Sequence, residues 1–223
     1  MKRSLACVLI ALLSGCAVVP FPEPARVSLE RENPQELVKR FQAALPDNFQ
    51  LLNSVVFEYN WRTFPGIGSV SIRRSDHLFR VAGMSPLGVK LFELSGNQHS
   101  VTKHYAIASF EQYGDAATAV GNDIRRIYFD LIPATDARIW KRKYAIRFRH
   151  SSGPGMLEHI FGGERGDLIE KNYYGEDGIA WRASYYEYRE QNGKRWPQGI
   201  LFINYQYGYR LTVRQKELII ENH

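Results

Sequence analysis

The side chains able to do chemistry are few and scattered. His77, His99, His104, His150 and His159 are spread along the chain. No two sit at His-x-x-x-His spacing with a nearby acid, the pattern that would place metal ligands on one helix face. Each is expected in a packing or surface role. Glu187 and Glu190 could be pictured as the carboxylate pair of a glycoside hydrolase, but their setting reads as a solvated strand edge. There is no Gly-x-Ser-x-Gly elbow. Gly66-Ile67-Gly68 is two-thirds of a dinucleotide fingerprint, yet a strand and not a helix follows, so it reads as a turn. No catalytic residue, metal ligand or cofactor is expected, and the chain reads as a non-enzyme. Two features remain: a cysteine near the N-terminus and a surplus of aromatic side chains.

Lys2 and Arg3 begin a short basic stretch, Leu5 to Leu13 is an apolar run, and Ser14 and Gly15 precede Cys16. This is the layout of a cleaved secretory signal, and the run is well short of the ~20 apolar residues needed to span a bilayer. Leu13-Ser14-Gly15-Cys16 resembles the lipobox of bacterial lipoproteins. That resemblance implies a cut before Cys16, diacylglycerol on its thiol and, in many species, acylation of the new amino terminus. Stable anchoring takes about two chains at ~0.8 kcal/mol per buried CH₂. Ala17 stands where many lipoproteins retained at the inner membrane carry Asp, which points to the periplasmic face of the outer membrane. Cys7 leaves with the signal and Cys16 is consumed by lipid, so the mature domain must be stable without a disulfide. Nucleic acid is excluded as a partner by export. The formal charge of +6 reads as a solvated face or as a basic face beside anionic lipid.

These features divide the chain into a signal at residues 1–15, a lipidated terminus and tether at 16–30, and one domain at 31–223. Pro20, Pro22 and Pro24 mark the tether. Asn33-Pro34 looks like a helix start, with Leu37, Val38, Phe41, Ala44 and Leu45 at helical spacing and Pro46 as the stop. From Phe49 the period becomes two, through Val55, Phe57 and Tyr59, then Val70 and Ile72, then Val89 to Ser95 and Val101 to Ile107. Turns are expected at Pro65-Gly66, Ser75-Asp76, Pro86-Leu87-Gly88 and Gly96-Asn97. A second helix is expected from about Tyr113 to Leu131, closed by Pro133. Strands return with Ile146 and Phe148 and continue through Met156–Phe161, Asp167–Tyr174, Ile179–Tyr188, Gly199–Tyr207 and Tyr209–Ile220. Asn192-Gly193 is the strongest hairpin signal. Closely spaced strands and short turns predict a mainly β fold. It is a single curved antiparallel sheet of about eleven strands, an open half-barrel covered by two or three helices.

This order of elements behind a lipobox resembles the lipoprotein localisation factors LolA and LolB, half-barrels whose apolar concave face, covered by helices, accepts acyl chains. The local match runs from Gly68 to Leu94. Phe79-Arg80 sits six residues ahead of Pro86, Ser85-Pro86-Leu87-Gly88 is similar to the Asn-Pro-Leu-Gly turn of LolB, and Val89, Leu91 and Phe92 follow. Ile72-Arg73 departs from the Trp-Gln pair of that family. The resemblance implies that Pro86, Leu87 and Gly88 form a loop whose leucine enters the membrane. It also implies an upstream periplasmic LolA-like carrier as partner. An exposed Leu returned to lipid gains ~1.5–3 kcal/mol; the other reading folds Leu87 back as a core plug.

Phe57, Val70, Ile72, Phe79, Leu91, Ile146, Phe148, Trp181, Tyr185 and Phe202 are the expected lining of the cavity. Aromatics from Tyr173 to Tyr207 fall on both strand faces, more than one buried face requires, which fits an apolar ligand. Two functions follow. One is a lipid-anchored protein that binds acyl chains of lipids or lipoproteins for sorting or transfer. The alternative is an assembly lipoprotein filled by its own side chains, whose outer face binds a protein partner.

Overall fold

Helix α1 (Pro34–Ala44) starts where the sequence offers both a cap and a proline. The Asn33 side-chain oxygen accepts hydrogen bonds from the N–H groups of Gln35 (2.9 Å) and Glu36 (3.2 Å), donors that the first turn leaves orphaned. Leu37 and Phe41, one turn apart, form its buried face.

The computed structural model describes residues 20–111 and 115–221. After α1 the chain forms β1 (Asn48–Tyr59), β2 (Arg62–Arg73), β3 (Leu78–Met84), β4 (Lys90–Gly96) and β5 (Val101–Ala106). Helices α2 (Ala108–Glu111) and α3 (Ala116–Tyr128) follow. The return leg is β6 (Arg138–Arg142), β7 (Ala145–Ser152), β8 (Gly155–Gly162), β9 (Asp167–Gly175), β10 (Gly178–Gln191), β11 (Lys194–Asn204) and β12 (Tyr209–Ile220). The sheet order is β5-β4-β3-β2-β1-β12-β11-β10-β9-β8-β7-β6, antiparallel throughout. Two meanders are thus joined where β1 meets β12, over eleven paired positions from Phe49↔Ile220 to Tyr59↔Tyr209. The edge strands β5 and β6 are not neighbours. The curved sheet stays unclosed, and the connection holding α2 and α3 crosses between its edges.

The half-barrel expected from the sequence is present, with twelve strands where about eleven were counted. Pro65-Gly66 is not a turn. It lies inside β2, opposite Val56 and Val55. Pairing of β2 with β3 begins only at Ile67, so Pro65 sits on a stretch free on one side, where a missing N–H costs little. The real turn is Asn60-Trp61, with positive φ at both residues. Gly66-Ile67-Gly68 is likewise strand and not turn. The second helix is shorter than its apolar stripe. Asp115 caps it by accepting from the Thr118 N–H at 3.0 Å, and it ends at Tyr128, well before Pro133. Tyr113, the expected start, lies outside the described residues.

Period-two alternation sends Phe49, Val70, Ile72, Phe79, Ile146, Phe148, Tyr185, Ile200 and Phe202 to the concave face, where they meet α1 and α3 in one cluster. At its centre the Trp196 ring lies 4.6 Å from Phe49 and 6.1 Å from Tyr128. Phe41 meets Phe161 edge-on at 5.3 Å.

The segment read as an extended tether packs on the domain from Pro20 onward. Phe21 is 5% exposed. It stacks on Tyr186 at 5.0 Å, under the Arg214 guanidinium, over Gly199. Tyr185 is a core residue, so its neighbour Tyr186 lies on the outer face. From there the chain passes Gly163, and the Leu29 N–H donates to the Lys143 carbonyl at 2.7 Å, with the Leu29 side chain in the core.

Candidate functional site

The concave face has three regions: a filled floor, a fastened cover and a half-open mouth. Eight of the ten expected lining residues lie in the floor. Val70, Ile72, Phe79, Ile146, Phe148, Trp181, Tyr185 and Phe202 are each 8% exposed or less and belong to the core cluster. They pack against the protein's own side chains. Two hollows, of about 480 and 380 Å³, lie elsewhere, and none of the ten residues lines either. Leu91 sits in a bulge between Phe92↔Gly83 and Lys90↔Met84 and does not join the cluster. Phe92 takes its place, with its ring against the position a Cβ on Gly83 would occupy and stacked on Phe110 of α2 at 4.6 Å.

The cover is held by Tyr185, expected as cavity lining, by His159, expected in a packing or surface role, and by Lys171, which the sequence did not single out. Inward side chains of three adjacent strands reach carbonyls at the end of α3. Tyr185 Oη donates to Ile127 O (2.8 Å) and Lys171 Nζ to Phe129 O (2.6 Å), while His159 Nε2 lies 2.7 Å from Asp130 O. A helix C-terminus leaves such carbonyls unpaired and favours a cation, which explains where α3 stops. Burial pushes the Lys171 ammonium down to about 7. Burial, reinforced by the Lys171 charge, drives His159 to about 3. His150 stacks on His159 at 5.7 Å, and Nδ1 of each ring makes no hydrogen bond among the described residues. The β4–β5 end of the cover is tied by Arg125, which donates from Nε to Asn97 O and from Nη2 to Ser100 O, both at 2.7 Å. Gly121 lets α3 lie close, since a Cβ there would come within 2.3 Å of Val101.

The mouth lies where β1 ends and β2 begins. Phe57, the tenth expected lining residue, is half-buried there. Its ring centre is 5.4 Å from Tyr209, 6.1 Å from Phe64 and 6.4 Å from Tyr59. Phe64 is 45% exposed. The inner lip is polar: the Tyr209 hydroxyl donates to Asp123 of α3, which pairs with Arg126 at 3.1 Å. Burial lifts the Asp123 carboxyl to about 6, against the pull of Tyr209 and Arg126. Such a surface accepts hydrocarbon through area and not direction.

Leu87 is 92% exposed at the same end of the sheet. Its turn is closed by Gly88 N–H to Ser85 O and Ser85 N–H to Val89 O, both 2.9 Å, with Gly88 at φ +80°. Pro86 and Gly88 shape the turn, and Leu87 does not fold back into the core. Cys16 lies outside the described residues. Glu187 and Glu190 are engaged separately, by Arg214 at 3.3 Å and Arg165 at 2.7 Å. Among the described residues no group of three or more His, Cys, Asp or Glu is placed to hold a metal, and no helix is long and apolar enough to cross a membrane.

No family model matches this chain, and no curated protein sequence does. Solved structures do. The chain is similar to a LolA superfamily protein from Nitrosomonas europaea at 10% identity and a TM-score of 0.50, over 85% of this chain and 94% of that one. It is also similar to a domain described as an outer membrane lipoprotein-sorting protein from Vibrio parahaemolyticus, at 9% identity and 0.52, over 84% and 90%. A DUF1329 family protein from Desulfovibrio piger aligns at 7% and 0.51, over 83% and 91%. At these identities the likeness is one of fold, and the fold is LolA/LolB-like: a curved, unclosed antiparallel sheet with helices across its concave side.

Proposed function

We propose that this chain is a lipid-anchored protein on the periplasmic face of the bacterial outer membrane. It binds acyl chains of lipids or lipoproteins and passes them to the bilayer. The observation that carries this reading is the half-exposed aromatic mouth at Phe57, Phe64 and Tyr209, on the same end of the sheet as the projecting Leu87. The first part of a hydrocarbon chain seats in that mouth. A longer chain enters as the α3 cover lifts, because the floor beneath is occupied. Cys16 carries the anchor, and a LolA-like periplasmic carrier is the donor of cargo. No chemical step is assigned to any residue.

The filled floor favours a second reading, in which the barrel is a scaffold and a protein partner binds outside. The outer face offers the partly exposed Arg147 and Arg149, held at 3.6 and 2.8 Å from the buried Glu158. Solvent extraction of the purified chain followed by mass spectrometry separates the two. The first reading expects non-covalent acyl lipid at a sizeable fraction of one per chain, lost in Phe64→Asp. A lipid-free protein that brings down one envelope protein, released by Arg149→Glu, supports the second and overturns the first.

A further inference from the structure

Antiparallel order places the turns of β1–β2, β3–β4 and β11–β12 at one end of the sheet, and in the strand order they are three consecutive hairpins. Neighbouring strands are ~4.8 Å apart, so the hairpins follow one another at about 10 Å across the sheet, with the β3–β4 turn set back along the strands because β3 stops pairing at Ile67↔Met84. Each carries exposed apolar side chains. Trp61 is fully exposed at 107%, Leu87 at 92% and Tyr207 at 61%, with Val89, Tyr205 and Phe64 beside them. Single exposed hydrophobics need no explanation; a continuous row along one rim does. At the opposite end the tips Ser75-Asp76, Gln98-His99, Glu164-Arg165 and Asn192-Gly193 are polar or glycine, and only the β6–β7 turn, Lys143-Tyr144, carries an exposed hydrophobic ring among the described residues, at 43%.

Trp61 makes the case sharper. It occupies the second position of a two-residue turn, with φ +62° after Asn60 at +48°. Glycine is the residue that this conformation favours, as Gly193 shows at the other end. A bulky ring there is strained, and its full exposure means that no contact within the chain compensates. Of the basic side chains near these tips, Lys90 is paired with Glu93 and Arg210 with Glu58, and the neighbouring β9–β10 tip is Glu176-Asp177, so apolar side chains and not charge distinguish this rim.

The geometry points to this rim as a docking surface for a lipid bilayer, with Trp61 and Tyr207 at the headgroup level and Leu87 set back beside them. Trp and Tyr prefer that depth. The anchor proposed above fits the same orientation. From Phe21, seated on the Arg214 row, the chain runs away from the rim toward Gly163 and Lys143. Five residue steps back to position 16 span at most about 18 Å. The Arg214 row is six residues from Gly208, or about 20 Å from the tip. An acylated Cys16 and the rim can therefore meet one membrane. The docking surface does not depend on whether the interior takes hydrocarbon.

The test uses the full chain isolated from a bacterial envelope, with Trp140→Phe so that Trp61 is the one exposed tryptophan beside the buried Trp181 and Trp196. Vesicles of phosphatidylethanolamine and phosphatidylglycerol contain lipids brominated at known depths. The expected result is a blue shift of Trp61 emission and strongest quenching by the shallowest bromines. Quenching should vanish in Trp61→Ser, whose thermal unfolding matches the parent. Emission that stays water-like at saturating vesicles overturns the proposal, whether the protein is held on them by lipid or remains free. Loss of extractable acyl cargo with quenching intact removes the transfer reading alone and leaves the rim in place.

Discussion

His159 donates to the Asp130 carbonyl from a fully buried position, with the Lys171 ammonium nearby, and it keeps its ring neutral down to about pH 3. An unfolded histidine takes up its proton near 6.5. Its contribution to stability is therefore complete above that pH and is lost as pH falls from 6.5 toward 3, on the order of 4–5 kcal/mol across the span. Asp123, raised to about 6, works the other way and returns part of this between 6 and 3.8. The melting temperature should drop between pH 7 and 4.5, and His159→Gln, whose amide can still reach Asp130, should flatten that drop; equal slopes in calorimetry would count against it. Leu87 gives a contrasting expectation. Its side chain touches little, so Leu87→Ala should change stability by less than about 0.5 kcal/mol while slowing delivery of bound lipid to vesicles, read by a fluorescent acyl probe. Nine of the ten expected lining residues face the concave side, eight in the floor and Phe57 at the mouth, because a strand's period is two. Leu91 does not, since a bulge shifts the count by one and hands its place to Phe92. Lys171 was not foreseen, nor was the partner of His159, for a different reason. What makes these two side chains matter is a set of carbonyls some thirty to forty residues away, and no local pattern records that.

The cover helix shows how close approach is set at one residue. A methyl on Gly121 would lie within 2.3 Å of Val101 and 3.4 Å of Phe79, and neither the β-branched valine nor the packed ring can retreat freely. Gly121→Ala should lift α3 from β5 and cost ~1–3 kcal/mol as an overpacked contact. Urea unfolding gives the cost, and faster uptake of a fluorescent fatty acid would show the cover loosened; unchanged uptake with lowered stability would mean that α3 does not gate entry. Both main helices were foreseen from apolar spacing and the start of α1 from Asn33-Pro34, but the end of α3 was misjudged. Its apolar stripe continues through Leu131, whereas the backbone is diverted at Phe129 and Asp130 by donors from the sheet. Strand β6 was missed because all five of its residues are exposed, so alternation has nothing to report. Its Arg138, Lys141 and Arg142 protect an open edge instead.

At the scale of the whole molecule, the two meanders are locked by the β1–β12 pairing and by Trp196 beneath it, wedged between Phe49 of the first leg and Tyr128 of the cover. Trp196→Ala should cost ~3–5 kcal/mol in denaturant unfolding, more than a substitution confined to either outer meander. Retention of stability within 1 kcal/mol would show that the legs stand independently. The half-barrel was readable as a class from strand spacing and turn residues, but the pairing of first strand with last was not, because partner choice over 150 residues leaves no periodic trace. That pairing has a consequence for birth of the protein. A ribosome delivers β1 first and β12 last, so one whole flank of β1 stays bare until residue 220 has emerged. For that interval the nascent chain offers an unsatisfied, apolar β-ribbon to any neighbour. Chaperone dependence should follow the delay before residues 209–220 become available to β1, not the folding of the leading half.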